Sequence, residues 1–149
     1  MALNWKLVID SGDPHRQAAF WAEALGYVVE DNSVLIERLL GVGAVTPDDL
    51  VEVGGRPAFR ELVAVRHPDD EVDPATGTGL GRRILFQAVP EGKQVKNRLH
   101  IDVHAGPERR AAEVARLQSL GATVLREVKA QGAEFTNMAD PEGNEFDVQ

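Results

Sequence analysis

The sequence predicts an α+β fold made of two β-α-β-β-β modules, and two observations carry this prediction. In residues 3–10 apolar and polar side chains alternate, and the segment after them has apolar residues at helical spacing up to Gly26. The same order, an alternating segment followed by a helix, recurs after residue 97 and continues into further strand-like segments. Two equivalent units of this kind indicate an internal duplication whose sheets can pair about a pseudo-twofold axis.

The first module is predicted to begin with a strand and a capped helix. The alternating apolar residues of the strand are Leu3, Trp5, Leu7 and Ile9. Asp13 is a suitable N-cap and Pro14 suits the first helical position, so the first helix is expected to begin there. Strand-like segments at 27–30, 62–66 and 82–89 complete the module within residues 1–92.

Residues 31–81 are longer than the turns of such a module require, and we interpret them as carrying an insertion. Ser33 is a candidate cap for a short helix over 34–40, and Thr46 precedes a second helix start. Residues 51–56 indicate part of a hairpin, and residues 68–81, rich in glycine, proline and acidic residues, indicate a loop. The insertion is expected to lie across one edge of the fold.

The second module is predicted over residues 97–149. Leu99, Ile101 and Val103 alternate with polar residues, and the Gly106-Pro107 pair opens a helix that ends at Gly121. Strand-like segments follow at 122–128, 133–138 and 145–148, with a turn at 140–144 before the last one. We therefore expect a single domain over residues 1–149.

Composition narrows the classes of function. A chain of 149 residues with 43% hydrophobic residues can bury the core of one domain. Its formal net charge of -8 disfavours nucleic acid and anionic lipid as partners. The absence of cysteine excludes disulfides, thiolate metal sites and a cysteine nucleophile. Neither a signal-peptide pattern nor an apolar segment of membrane-spanning length is present, which predicts a cytoplasmic protein.

Three segments together resemble a known superfamily. They are FWAEALGY at 20–27, KNRLHIDV at 96–103 and DPEGNEFDV at 140–148. The last is similar to an Asp-Pro-Asp-Gly-Asn turn that precedes the final strand in the vicinal oxygen chelate superfamily, which includes glyoxalase I, bleomycin-resistance proteins and extradiol dioxygenases. The likeness covers nearly the full chain and is greatest to the glyoxalase-like branch common in actinobacteria.

The resemblance implies mixed, curved sheets that form a cavity, with the helices on their outer face. Apolar residues on one face of the strands would then pack under the helices. These residues are Leu3, Trp5, Leu7, Ile9, Ile84, Phe86, Ala88, Leu99, Ile101, Val103, Phe146 and Val148. The alternate strand positions would face the cavity, and they carry Lys6, Val8, Gln87, His100, Asp102 and Asp147.

Metal-dependent relatives carry ligands on the first and last strands of each module. The motif match places Lys6, Gln87, His100 and Asp147 at these positions, whereas the internal repeat pairs His100 with Val8. Valine has no donor atom and a protonated lysine has no lone pair, so the first-module ligand is missing. The other three residues could bind zinc, iron, nickel or manganese. The alternative is a metal-free site in which Lys6 pairs with Asp147 and orients an anionic or carbonyl-bearing ligand.

Each candidate also has a purely structural interpretation. His100 could be a strand histidine hydrogen-bonded to Asp102, Gln87 a satisfied amide, and Lys6 a solvated residue at the sheet margin.

The resemblance implies a small-molecule-binding protein and leaves several functions open. One is a lyase or isomerase acting on a carbonyl or oxygen-bearing metabolite, with Asp102 as the nearest candidate base. Another is metal-free sequestration of a drug or metabolite, as in bleomycin-resistance proteins; the missing ligand favours it, and the 5% aromatic content argues against it. A third is a regulatory module that uses the insertion as its contact surface. Family members also imply a homodimer, whereas the substrate and the cofactor are not determined by the sequence.

Overall fold

The computed structural model describes all of residues 1–149 and contains three α-helices and ten strands. The strands form two four-stranded sheets and one two-stranded hairpin. The chain divides into two compact units, of which unit 1 comprises Met1–Ala22 with Gly26–Pro90 and unit 2 comprises Glu23–Leu25 with Glu91–Gln149. The predicted α+β class with two mixed-sheet modules is confirmed. None of the three helices has the length and apolar character needed to cross a membrane.

The sheet of unit 1 combines one parallel pair with antiparallel pairs. In spatial order its strands are β1 (Leu7–Ser11), β6 (Arg83–Ala88), β5 (Leu62–Arg66) and β2 (Val28–Val29). β1 runs parallel to β6, and the other neighbours are antiparallel. Phe86 and Val65 are fully buried, as the alternation of apolar residues predicts for the core face.

Helix α1 (Pro14–Leu25) follows β1 and has the predicted caps. The Asp13 carboxylate accepts the backbone N–H of Arg16 at 3.1 Å, and proline occupies the first turn, where no intrahelical N–H is needed. Gly26 ends the helix in the left-handed conformation at φ 66°, which a residue without Cβ adopts at little cost.

The segment predicted as an insertion contains α2 (Ser33–Gly41), a short 3-10 helix at Pro47–Asp49, and the hairpin of β3 (Leu50–Val53) with β4 (Arg56–Phe59). Thr46 forms a capping box with Asp49, so this helix start was predicted correctly. β5 lies in the same stretch of sequence but is an integral strand of the unit 1 sheet. Residues 68–81 form a loop with one isolated bridge between Val72 and Gly79.

Unit 2 repeats the arrangement with a longer hairpin. Its strands lie in the order β7 (Asp102–Val103), β10 (Glu145–Val148), β9 (Ala133–Ala139) and β8 (Thr123–Ala130), and its helix is α3 (Arg110–Ser119). Again the first and last strands pair in parallel. Fully buried Phe146, Val148 and Met138 share one sheet face, and α3 contributes buried Leu117 and contacts three of the strands. The core of unit 2 therefore lies between this face and α3.

Three residues predicted for the apolar core face are exposed instead. Leu3, Trp5 and Leu99 are 83%, 87% and 80% exposed. The pairing of β1 with β6 begins only at Leu7, and β7 is limited to two residues, so these positions have no neighbouring strand. Alternation alone does not distinguish a paired strand from an extended segment that lacks a partner.

Candidate functional site

Three ionisable side chains converge in unit 2. His100 Nε2 lies 3.3 Å from Asp102 Oδ1 and 3.5 Å from Asp147 Oδ2. Each residue offers one potential ligand atom, and these three atoms all lie within 4.8 Å of one another. The cluster combines an imidazole with two carboxylates, and it is defined here as the His100 cluster.

Strand register explains why the two carboxylates meet. Asp147 on β10 is the Cα partner of Asp102 on β7, and partner residues in a ladder point to the same face of the sheet. Asp147 is the more enclosed of the two, since its side chain is 11% exposed compared with 38% for Asp102. The site therefore has one buried carboxylate and one that solvent and ligands can reach.

Amide groups hold the carboxylate oxygens that point away from the imidazole. Asn137 Nδ2 donates to Asp147 Oδ1 at 2.8 Å, and Gln149 Nε2 donates to Asp102 Oδ2 at 2.8 Å. Each carboxylate thus keeps one oxygen directed at His100 and has the other fixed by a neutral donor. Such outer partners orient the ligands of a metal site or the acceptors of a proton.

His100 lies in an irregular segment that is fixed on both sides. The backbone N–H of Asn97 donates to Glu145 Oε2 at 3.0 Å, and the N–H of Asp147 donates to the carbonyl of Ile101 at 3.0 Å. Lys93 Nζ contacts the other oxygen of Glu145 at 3.2 Å. Burial acts to raise the pKa of Glu145, but these donors outweigh it and hold the pKa below its usual 4.5. Glu145 therefore stays ionised and fixes the segment that carries His100.

Two predicted site residues belong to unit 1. Gln87 lies on β6, is exposed, and has Asp10 on β1 as its parallel Cα partner. The pairing of Asp10 with Gln87 thus repeats that of Asp102 with Asp147. Lys6 precedes β1 and is exposed. The structure brings His100, Asp102 and Asp147 together within one unit.

The chemistry of the donor set fits a divalent cation. With a neutral imidazole the His100 cluster carries two negative charges, and its nitrogen and oxygen donors suit zinc, manganese, iron or nickel. The carboxylate oxygens nearest His100 Nε2 receive no protein hydrogen bond, whereas the outer oxygens do. Asp102 is a possible third donor beside His100 and Asp147, and the ligand role predicted for Gln87 stays a prediction.

Three contributing residues were not found from the sequence. Asn137 and Gln149 act through their amides, and Glu145 acts through the segment before His100. The polar position of Asn137 on β9 is visible in the sequence, but its alignment with Asp147 depends on the strand register. Gln149 follows β10 and reaches across to Asp102, a contact that no local pattern predicts.

Comparisons with known proteins agree with this architecture. The model of a glyoxalase-like domain matches residues 6–149. A search of curated proteins by sequence found no match. The fosfomycin resistance protein FosX from Mesorhizobium loti has a similar structure, with a TM-score of 0.61 at 9% identity over 100% of this chain and 91% of the other.

Two further solved structures show the same fold. A mutant of FosX from Listeria monocytogenes, complexed with Mn(II) and 1S,2S-dihydroxypropylphosphonic acid, gives a TM-score of 0.60 at 12% identity, covering 100% of this chain and 92% of that one. A glyoxalase/bleomycin resistance protein/dioxygenase family enzyme from Burkholderia phytofirmans gives 0.58 at 14% identity, covering 96% and 94%. At these identities the likeness establishes the fold alone. With the family model matched over residues 6–149, the chain belongs to the glyoxalase-like domain family.

Proposed function

We propose that this protein is a glyoxalase-like lyase or isomerase that binds a divalent cation at the His100 cluster and acts there on a small oxygen-bearing metabolite. The observation that supports the proposal is the convergence of His100, Asp102 and Asp147, whose donor atoms lie within 4.8 Å of one another. Two solved structures with a similar fold are described as a glyoxalase/bleomycin resistance protein/dioxygenase family enzyme and a fosfomycin resistance protein. The second was solved with Mn(II).

The His100 cluster and the two amide side chains that contact it would have distinct roles. His100, Asp102 and Asp147 would hold the cation, and the amides of Asn137 and Gln149 would keep the two carboxylates in place. When bound, the cation supplies Lewis-acid polarisation of the ligand oxygen that it contacts. Asp102 is the more exposed of the two carboxylates, which supports its candidate role as a base.

Calorimetric titration of Mn²⁺ into chelator-treated protein tests the proposal. Wild type is expected to bind one equivalent, and His100→Ala and Asp147→Asn to lose at least about ten-fold in affinity. Asp69→Asn removes an exposed carboxylate of unit 1 and is the matched control, with unchanged binding expected. Thermal melting of each variant separates loss of the site from loss of the fold.

The results of these titrations distinguish between the candidate functions. Equal Mn²⁺ affinity in wild type and Asp147→Asn would contradict the cation site. Retained Mn²⁺ binding in Asp102→Asn would exclude Asp102 as a required ligand and return it to its predicted role as a base. Stabilisation of chelator-treated protein by an antibiotic such as bleomycin, with no effect of any divalent metal, would favour the sequestration function.

A further inference from the structure

A row of four polar residues crosses the sheet of unit 2 at the His100 cluster. Asp102 on β7 pairs with Asp147 on β10, Asp147 pairs with Asn137 on β9, and Asn137 pairs with Arg126 on β8. Because partner residues point to the same face, the guanidinium of Arg126 belongs to the face that carries the two carboxylates. With neighbouring strands about 4.8 Å apart, the Cα atoms of Arg126 and Asp147 are separated by about 10 Å.

A β-bulge gives Arg126 its place in this row. On β8 the pairing shifts between Val124 and Arg126, so that Leu125 is an extra residue without a partner. Val124 pairs with Met138, and in an uninterrupted ladder the next residue, Leu125, would oppose Asn137. The bulge thus directs a cation, instead of an apolar side chain, to the face of the His100 cluster.

Arg126 is exposed and has no hydrogen-bond or ion-pair partner. The other basic residue of the same strand, Lys129, contacts Glu134 Oε1 at 2.9 Å and lies on the opposite face. Asn137, which separates Arg126 from the carboxylates, donates its amide to Asp147. The guanidinium therefore remains available to a ligand beside an otherwise acidic cluster.

We propose that Arg126 binds a carboxylate of the substrate, so that the substrate is a small molecule with oxygens at one end and a carboxylate at the other. The inference rests on the proposed function for the end that meets the His100 cluster. A guanidinium offers paired N–H donors that match a carboxylate. One unpaired guanidinium balances one negative charge, which favours a carboxylate over a doubly charged phosphonate.

The substrate would lie along the sheet row. Its oxygen-bearing end would meet the His100 cluster, and its apolar middle would cross Asn137 toward β8. Phe135 and Val128 form the neighbouring pair on the same face and are partly exposed, so they would flank the apolar middle. The distance of about 10 Å between the Cα atoms of Asp147 and Arg126 suits a chain of a few carbons between the two polar ends.

Two matched probes test this arrangement by calorimetry. The acids 2-oxoglutarate and 2-oxopentanoate share a 2-oxo-carboxylate end, and only the first has a distal carboxylate. Mn²⁺-loaded wild type is expected to bind 2-oxoglutarate about ten-fold more tightly, as one charge-assisted hydrogen-bonded pair would give. This preference should vanish in Arg126→Gln, be partly kept in Arg126→Lys, and be unchanged in Lys129→Gln, which removes the same charge from the opposite face.

The outcomes separate this inference from the proposed function. Mn²⁺ binding together with equal affinity for the two acids, binding of neither acid, or an equal loss of preference in Lys129→Gln overturns the role of Arg126 and leaves the cation site standing. If no Mn²⁺ binds, the proposed function fails, and the titrations are repeated on chelator-treated protein. There, a preference for 2-oxoglutarate that depends on Arg126 supports the carboxylate subsite, and its absence overturns it.

Discussion

Arg83 and Glu30 form a two-point ion pair in unit 1, with Nε to Oε1 at 2.8 Å and Nη2 to Oε2 at 2.7 Å. The side chains are 13% and 1% exposed, respectively. The N–H of Gly79 also donates to Glu30 Oε1 at 2.8 Å. Both oxygens of a fully buried carboxylate are therefore satisfied, and the pair connects the end of β2 to β6 and to the loop at 68–81.

Replacing Glu30 by alanine should destabilise the fold by about 3 kcal/mol, because the Arg83 guanidinium would stay buried without its counter-charge. Urea unfolding measures the change. Arg56→Ala is the control, since it breaks the exposed pair of Arg56 with Asp31 and should cost less than about 1 kcal/mol. Similar losses in the two variants would contradict the importance of burial.

The pair of Asp70 and Arg82 predicts a pH dependence of stability. Hydrogen bonds from the Arg82 side chain and backbone N–H lower the pKa of Asp70 from 3.8 to about 2. The folded pKa lies below the unfolded one, so this stabilisation is present above about pH 4 and is lost as the pH falls toward 2. The melting-temperature difference between wild type and Asp70→Asn should therefore shrink between pH 5 and pH 2, and parallel pH profiles would contradict the prediction. Arg82→Gln removes the side-chain hydrogen bonds and keeps the backbone N–H, so its melting-temperature difference from wild type should shrink over the same pH range by a smaller amount.

Gly77 is expected to resist substitution. Its φ is +75°, and a Cβ there would lie 1.9 Å from the backbone oxygen of Asp31. Gly77→Ala should lower the free energy of unfolding by at least about 2 kcal/mol. The left-handed backbone conformation at residue 77 disfavours alanine, and the backbone of Asp31, just before α2, would have to move away from the added Cβ. Gly41→Ala is the control at the end of α2, where no atom lies within 4 Å of the added Cβ. The control should be neutral or slightly stabilising by urea unfolding, and equal losses would contradict the steric argument.

Glu145 should control cation binding without touching the cation. Glu145→Gln weakens the contacts to Lys93 and Asn97, so the segment that carries His100 becomes less fixed. We expect Mn²⁺ affinity to fall several-fold in calorimetric titration while the melting temperature changes little. Glu134→Gln, at the far end of the β8–β9 hairpin, should leave the affinity unchanged. A loss of melting temperature in proportion to the loss of affinity would indicate a general structural role instead.

The pairing of strands explains how much of the site the sequence could predict. Asp102 and Asp147 were identified because period-two alternation assigns each to the polar face of its strand, and the register then places them side by side. His100 was found from the matched segment, although it precedes β7 by two residues. The roles of these residues, with those of Lys6 and Gln87, stay predictions, as do the single-domain boundaries and the homodimer.

Arg126 was not found in the same way, because period-two counting from the start of β8 passes through the unpaired Leu125 and assigns Arg126 to the opposite face. Trp5 and Leu99 show the opposite error, since their alternation is regular but no strand lies beside them. Local patterns thus predict the existence of strands well, whereas the long-range ladder decides which residues share a face.

The extra residue in β8 also affects how a change of chain length would act. Deleting Leu125 alone would restore a continuous ladder, and the residues that precede and follow it would keep their identities. With the other pairings of the hairpin retained, Arg126 would follow Val124 directly and would still oppose Asn137, so this deletion would preserve the carboxylate subsite. When relatives are aligned, a gap of one residue at position 125 is therefore compatible with the subsite, whereas a gap at position 126 would place leucine opposite Asn137.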